Sequence, residues 1–258
     1  MVAYHEFVSL SQSSDSEERG SAAHLSALAF LNHYGPADEQ AALYAALIGF
    51  LDDPSVKVRA ALAYGLLHSG EAPRPIMLAL LHDSAIIARA VLQYSPVLID
   101  ADLLALVRTL DLSMLVALSQ RTEISPRLGA AIVARGQGAV TLRLLRRRDV
   151  ALEAGLLCEL ATSQGDNAEM RGALLGRSDL PAGARLLLVQ RATEALREAR
   201  MVRGAVAQDK LNRILRDSCD TALSAIGERE AVRTSAGVYV SDLIGTDGVN
   251  TRILLHAV

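Results

Sequence analysis

One pattern recurs along this chain: a short helical stretch with an arginine at a fixed place in it. Segment DDPSVKVRAAL (52–62) contains Arg59, and HDSAIIARAVL (82–92) has Arg89 at the matching place, 30 residues later. Arg143 and Arg171 continue the series at spacings that imply a period of about 28 residues. A unit of that length is a pair of short helices, which cannot bury its own apolar faces and must stack on its neighbours.

A second apolar segment precedes each of these stretches, so the repeating unit is an antiparallel helix pair. One unit, DLSMLVALSQ, lacks the arginine and has Ala117 at its place, where we expect the stack to bend or loosen. Tryptophan is absent, and strand patterns of alternating polarity are nearly missing. The sequence predicts an all-α fold, an α-solenoid of five stacked helix pairs. The preceding segments are 41–51, 74–81, 102–110, 126–134 and 153–161.

The two ends of the chain differ from the repeats between them. We expect residues 1–15 to be poorly ordered and residues 16–176 to form the repeats, with 16–35 as an N-terminal cap helix. Residues 177–258 are expected to form a longer helical hairpin (184–200 with a helix through Leu211 to Ile226) and a final helical unit. Because that unit has only begun at Val258, we expect a piece of a longer protein, with a naturally short protein as the alternative.

The segment DDPSVKVRAALAYGL resembles the HEAT-repeat consensus, in which an Asp-Pro turn and a downstream Val-Arg pair open the second helix. From the residues alone, Asp53 is a good N-cap and Pro54 a good first helical residue, so a helix is predicted to start at residue 54. Two longer segments, LLHDSAIIARAVLQYSPVLIDADLLALV (80–107) and VNTRILLHAV (249–258), are similar to a bacterial family of HEAT-like proteins of unknown function. That family usually has proline where this chain has Ala90, and it supplies no catalytic residues to carry over.

This resemblance also implies a role for the recurring arginines. In HEAT arrays, such arginines typically bond to aspartates or carbonyls of a neighbouring turn, and Asp53 and Asp83 occupy the expected acceptor positions. We call Asp53, Arg59, Asp83 and Arg89 the arginine ladder. Arg59 is expected to be mostly buried between the first two helix pairs, and Arg89 to repeat its geometry. A stripe of ligand-binding arginines is the alternative.

Motifs for catalysis, cofactors or metals are not found in the sequence. The six histidines are scattered, so they do not form a metal-binding motif. The two cysteines, Cys158 and Cys219, are far apart in the sequence and are expected to be buried free thiols. Such thiols are typical of a cytoplasmic protein. There is no nucleophile elbow, P-loop or dinucleotide fingerprint. We therefore expect no enzyme activity, no cofactor, no metal and no membrane-spanning segment.

Charge is distributed unevenly along the chain. Residues 1–130 carry 8 basic against 14 acidic residues, whereas residues 131–216 carry 15 against 9. Several arginines of the second region are candidates for binding, and we call them the basic cluster. They could bind phosphates or an acidic protein surface, or they could simply neutralise a helix C-terminus and remain in solvent. Arg146 and Arg147 are expected to be exposed. The basic cluster is Arg135, Arg143, Arg146, Arg147, Arg148 and Arg171.

Taken together, these features favour a HEAT-like α-solenoid of stacked antiparallel helix pairs that serves as a protein-interaction or regulatory scaffold. The alternative is a nucleic-acid-binding solenoid, similar to HEAT-like DNA glycosylases, that works through the basic cluster. A net charge of −3 and an aromatic content of 3% argue against nucleic acid as the partner. The expected partner is a protein.

Overall fold

Helices dominate the structure, a computed structural model that describes residues 9–199 and 207–232. About 70% of the residues are helical, and no strand occurs within the two described ranges. Of the segment predicted to be poorly ordered, residues 1–8 lie outside the described residues. The predicted final unit, with its segments 238–244 and 251–258, also lies outside them.

Two compact units divide the chain, Met1–Val140 and Thr141–Val258, called unit 1 and unit 2 below. The division falls within α9 (Gly138–Arg146). The helices begin and end within a few residues of most segments that the repeat predicts. Unit 1 contains α1 (Ser16–Leu31), α2 (Ala37–Leu51), α3 (Val56–Leu66), α4 (Arg74–Leu80), α5 (Ala85–Tyr94), α6 (Asp100–Val107), α7 (Leu112–Leu118) and α8 (Pro126–Val133). Unit 2 contains α10 (Ala154–Gln164), α11 (Ala168–Leu175), α12 (Ala182–Glu198) and α13 (Gln208–Val232).

Within unit 1, most helices contact the second helix along the chain. One row contains α1, α3, α5 and α7, each in contact with the next, and the other row has contacts between α2 and α4 and between α6 and α8. Apolar side chains such as Val58, Leu62, Met77 and Leu92 are fully or almost fully buried between these helices. Polar bonds reinforce the second row, because Arg74 pairs with Asp102 and Ser125 donates to Asp100.

Helices α1 and α3 pack closely because small residues face each other. A Cβ atom placed on Gly65 would lie 2.6 Å from the Cβ of Ala27, and one on Gly20 would lie 3.7 Å from the Cβ of Ala61. The first distance is too short for a real side chain, so only glycine at position 65 allows this approach of the two helices. Residues 16–31 are thus held tightly against α3.

The predicted start of α3 was wrong by two residues. The helix begins at Val56 with Ser55 in the N-cap position, not at residue 54 after Asp53. The Asp53 carboxylate accepts a hydrogen bond from the backbone N–H of Ser55 and is also bound by Arg19, so it serves the turn and a neighbouring helix instead of the first helical amides.

In unit 2, α12 is the central helix, and it contacts α10, α11 and α13. Leu186 of α12 packs against Ile226 of α13, with Cys219 at the edge of this cluster. Cys158 and Cys219 are not joined in a disulfide, as predicted, but each is only half-buried and not buried as expected. Two long helices, α12 and α13, lie where the hairpin after residue 177 is predicted, and they contact each other.

Candidate functional site

Arg19 makes the first of two similar bonds between neighbouring helices of unit 1. Its Nε and Nη2 atoms donate to the two carboxylate oxygens of Asp53 at 2.7 and 3.1 Å. The remaining nitrogen, Nη1, donates to the carbonyls of Ser13 and Ser14. One guanidinium thereby joins α1 to the turn before α3. Sequence reasoning missed Arg19 because residues 16–35 were interpreted as a cap helix outside the repeats, so no arginine was sought there.

Arg59 makes the same pattern of bonds one repeat later. Its Nε and Nη2 atoms donate to the carboxylate of Asp83 at 2.6 and 2.9 Å, and Nη1 donates to the carbonyl of Asp53 at 2.6 Å. The Arg59 side chain is 18% exposed and that of Asp83 is 10% exposed. A planar guanidinium fits this arrangement because it presents parallel donors to a carboxylate and a further donor to a carbonyl.

These bonds also change the acidity of both aspartates. The hydrogen bond from Arg59 holds the pKa of Asp83 below its ordinary value, against the opposing effect of burial. Arg19 lowers the pKa of Asp53 in the same way, with help from the backbone N–H of Ser55. Both carboxylates are therefore ionised at neutral pH and remain so on moderate acidification.

Arg89 does not repeat this geometry, and that expectation was wrong. Its Nε donates to the carbonyl of Ala85 on its own helix at 3.2 Å, and its Nη1 lies 3.4 Å from the hydroxyl of Ser113. The aspartate that precedes α7 is Asp111, which is itself the N-cap and accepts from the backbone N–H of Met114. Asp111 lies directly before Leu112, whereas Asp53 and Asp83 lie three and two residues before their helices, so its carboxylate caps α7.

A different set of arginines binds carbonyls at the ends of helices. Arg121 is 6% exposed and donates to the carbonyls of Leu92 and Ser95 at the end of α5. Arg177 is 2% exposed and donates to the carbonyls of Arg147 and Val150, just after α9, while also pairing with Asp179. These donors satisfy carbonyls that have no partner within their own helix. The sequence period did not identify them, because they lie after their helices and not at the Arg59 position.

The basic cluster is only partly available for binding. Arg135 donates to the carbonyl of Val107 at the end of α6, and Arg171 donates to the carbonyls of Gly165 and Asp166. Arg147 pairs with Asp149, and its side chain is 19% exposed. The prediction that Arg147 is exposed was therefore wrong, whereas Arg146 is exposed.

Three arginines of the basic cluster project into solvent: Arg143, Arg146 and Arg148. They lie at or just after the last turn of α9, where the helix dipole favours positive charge. The carbonyls of Leu145 and Arg147 at that helix end accept from Arg177 and not from these three arginines. They form an exposed positive patch within unit 2.

Exposed apolar and aromatic side chains recur on α3 and α5 of unit 1. Val56 and Ile86 occupy matching places in successive repeats and are 42% and 67% exposed; Tyr64 and Tyr94 also match, at 69% and 49%. We call these four residues the tyrosine face. Ring contacts extend it, since the centroids of His24 and Tyr64 lie 5.6 Å apart and those of His68 and Tyr94 lie 5.3 Å apart.

No cluster of three or more metal-binding side chains occurs in the described part of the chain. None of the described helices is long and apolar enough to cross a membrane.

Residues 87–258 match the profile of a family described as an uncharacterised protein conserved in bacteria, DUF2336. The chain belongs to this family. In this DUF2336 member, the matched region begins within α5 and includes Arg89, Arg121 and Arg177, whereas Arg19 and Arg59 precede it. No curated protein and no solved structure matches the chain.

Proposed function

We propose that this DUF2336 protein is a HEAT-like α-solenoid that acts as a non-catalytic protein-interaction or regulatory scaffold in the bacterial cytoplasm. The alternating contacts within unit 1 support the proposed architecture, because helix pairs that stack in register bring each helix against the second one along the chain. The bonds from Arg19 to Asp53 and from Arg59 to Asp83 support it further, since each joins successive helices of one row.

The tyrosine face is the observation that carries the proposed function. Its side chains come from the same places in two successive repeats, so the repeat itself presents them. Tyrosine is enriched at protein interfaces because its ring buries a large area and its hydroxyl keeps a polar contact. An apolar stripe that is exposed in register on neighbouring helices is a feature of partner-binding surfaces.

The nucleic-acid alternative has less support. Half of the basic cluster is engaged in bonds within the chain, which leaves Arg143, Arg146 and Arg148 as exposed cations. Binding to duplex DNA relies on many phosphate contacts, and three arginines supply few of them. The chain as a whole also carries a net charge of −3.

Affinity capture of the tagged chain from its source cell tests this function. We expect Tyr64→Glu/Ile86→Glu to lose the captured protein while it melts like the parent, because both side chains are exposed. The matched control is Arg143→Glu/Arg146→Glu, which should retain the captured protein. Equal capture by the two variants would contradict the proposal, as would binding of duplex DNA that is steeply salt-dependent and lost only in the control variant.

A further inference from the structure

Arg89 differs from the two arginines that precede it in the same row of helices. Arg19 and Arg59 each donate two hydrogen bonds to one carboxylate, and each also donates to a backbone carbonyl of the preceding turn. Arg89 contacts a carbonyl of its own helix and, at 3.4 Å, the Ser113 hydroxyl. Within the described residues, no carboxylate lies at ion-pair distance from it.

The change lies in the turn that follows, and not in the arginine. Asp53 and Asp83 each precede a serine N-cap and keep their carboxylates free to receive arginine. Before α7, Asp111 takes the N-cap place itself and binds the Met114 amide. Arg89 therefore reaches Ser113, which follows it along the chain at the same separation as Asp83 follows Arg59.

The surface around Arg89 is apolar and exposed. Ile86, one turn earlier on α5, is 67% exposed, and Leu112, the neighbour of Ser113, is 52% exposed. Arg89 itself is exposed. A guanidinium that has no carboxylate partner among the described residues, with one exposed aliphatic residue a turn earlier on its helix and another next to Ser113, fits a ligand that brings both an acid and an apolar group.

We propose that Arg89 binds an aspartate or glutamate side chain from an acidic, apolar segment of a partner protein. This inference rests on the proposed scaffold function. It adds Arg89, as a charged contact, to the binding surface that the tyrosine face provides. The partner's carboxylate takes the position relative to Arg89 that Asp83 has relative to Arg59. Ile86 and Leu112 contact the apolar residues that flank this acid, and the Ser113 hydroxyl donates to it.

Selection of random displayed peptides on the full chain tests this inference directly. We expect the selected peptides to carry Asp or Glu beside apolar residues. The best of these peptides should bind Arg89→Gln about tenfold or more weakly, since one partner of a desolvated charge pair is lost. Arg108→Gln, which removes an exposed arginine at the end of α6, should bind them like the parent. Arg89→Asp should select peptides rich in Lys or Arg instead.

Each alternative result counts against the inference. Selected peptides without acids, binding that is equal for Arg89→Gln and the parent, or failure to select any peptide would overturn it. A fluorescent DNA duplex whose binding is weakened by Arg89→Gln would also overturn it, in favour of a phosphate ligand. Peptides that bind the parent but lose binding only in Tyr64→Glu would refute the role of Arg89 and leave the scaffold function intact.

Discussion

Replacing Arg59 by alanine should destabilise the chain by about 2 kcal/mol. The change removes the ion pair with Asp83 and the hydrogen bond to the Asp53 carbonyl, both at a partly buried position. Loss of one member of a fully buried pair costs about 3–5 kcal/mol. The cost is smaller here since the Arg59 and Asp83 side chains are 18% and 10% exposed, and Asp83 keeps the bond from the Ser84 amide. Arg59→Lys should recover about half of the loss, because one ammonium cannot span both acceptors.

Urea unfolding of Arg59→Ala, Asp83→Ala and the double variant measures the coupling between the two side chains. Arg89→Ala is the matched control and should change stability by less than about 0.5 kcal/mol, as for an exposed side chain. Since Arg59 lowers the pKa of Asp83 below 3.8, the contribution of the pair is complete above that pH and is lost as pH falls through the folded pKa. The reasoning is refuted if Arg59→Ala and Arg89→Ala unfold alike at neutral pH.

Three further predictions follow from packing and burial. Arg177→Ala should cost about 3 kcal/mol or more in urea unfolding, because it strands buried carbonyls and Asp179; a loss below about 1 kcal/mol would contradict this. Gly65→Ala should destabilise the chain by about 1–3 kcal/mol, because its Cβ would clash with Ala27. The control is Gly49→Ala, whose Cβ meets nothing within 4 Å and which should be neutral or stabilise by up to about 1 kcal/mol. Equal melting temperatures for the two variants would refute the close approach of α1 and α3. Burial raises the pKa of the Cys219 thiol, so iodoacetamide at pH 8 should modify it more slowly than in the urea-unfolded chain, as mass spectrometry can measure; equal rates would show that the thiol is open.

Much of the helical pattern of this chain can be predicted from its sequence. Proline, small capping residues and apolar spacing mark helix positions to within a few residues in most repeats. Such signals are local or periodic, and that is why a single sequence discloses them. The bond from Arg59 to an aspartate is what the resemblance to HEAT repeats implies, and the structure shows it with Asp83 as the acceptor.

The behaviour of Arg89 and of the basic cluster could not be predicted in this way. Whether Asp111 receives an arginine or caps its own helix depends on how close it lies to the first helical residue, and that distance is one residue for Asp111 but three for Asp53 and two for Asp83. A single sequence places helix starts only to within a few residues, so it does not decide this point. Arg135 and Arg171 resemble surface charges in sequence, yet each binds carbonyls. Such bonds depend on which helix end lies nearby, and tertiary packing decides that.

Site-specific photocrosslinking in the source cell is the measurement that tests the proposed function most directly. A photoreactive amino acid in place of Tyr64, on the tyrosine face, should crosslink to a protein on irradiation. The same group in place of Arg143, on the exposed positive patch of unit 2, should give no such product. Crosslinks to nucleic acid from position 143, with none to protein from position 64, would contradict the scaffold function and favour the nucleic-acid alternative.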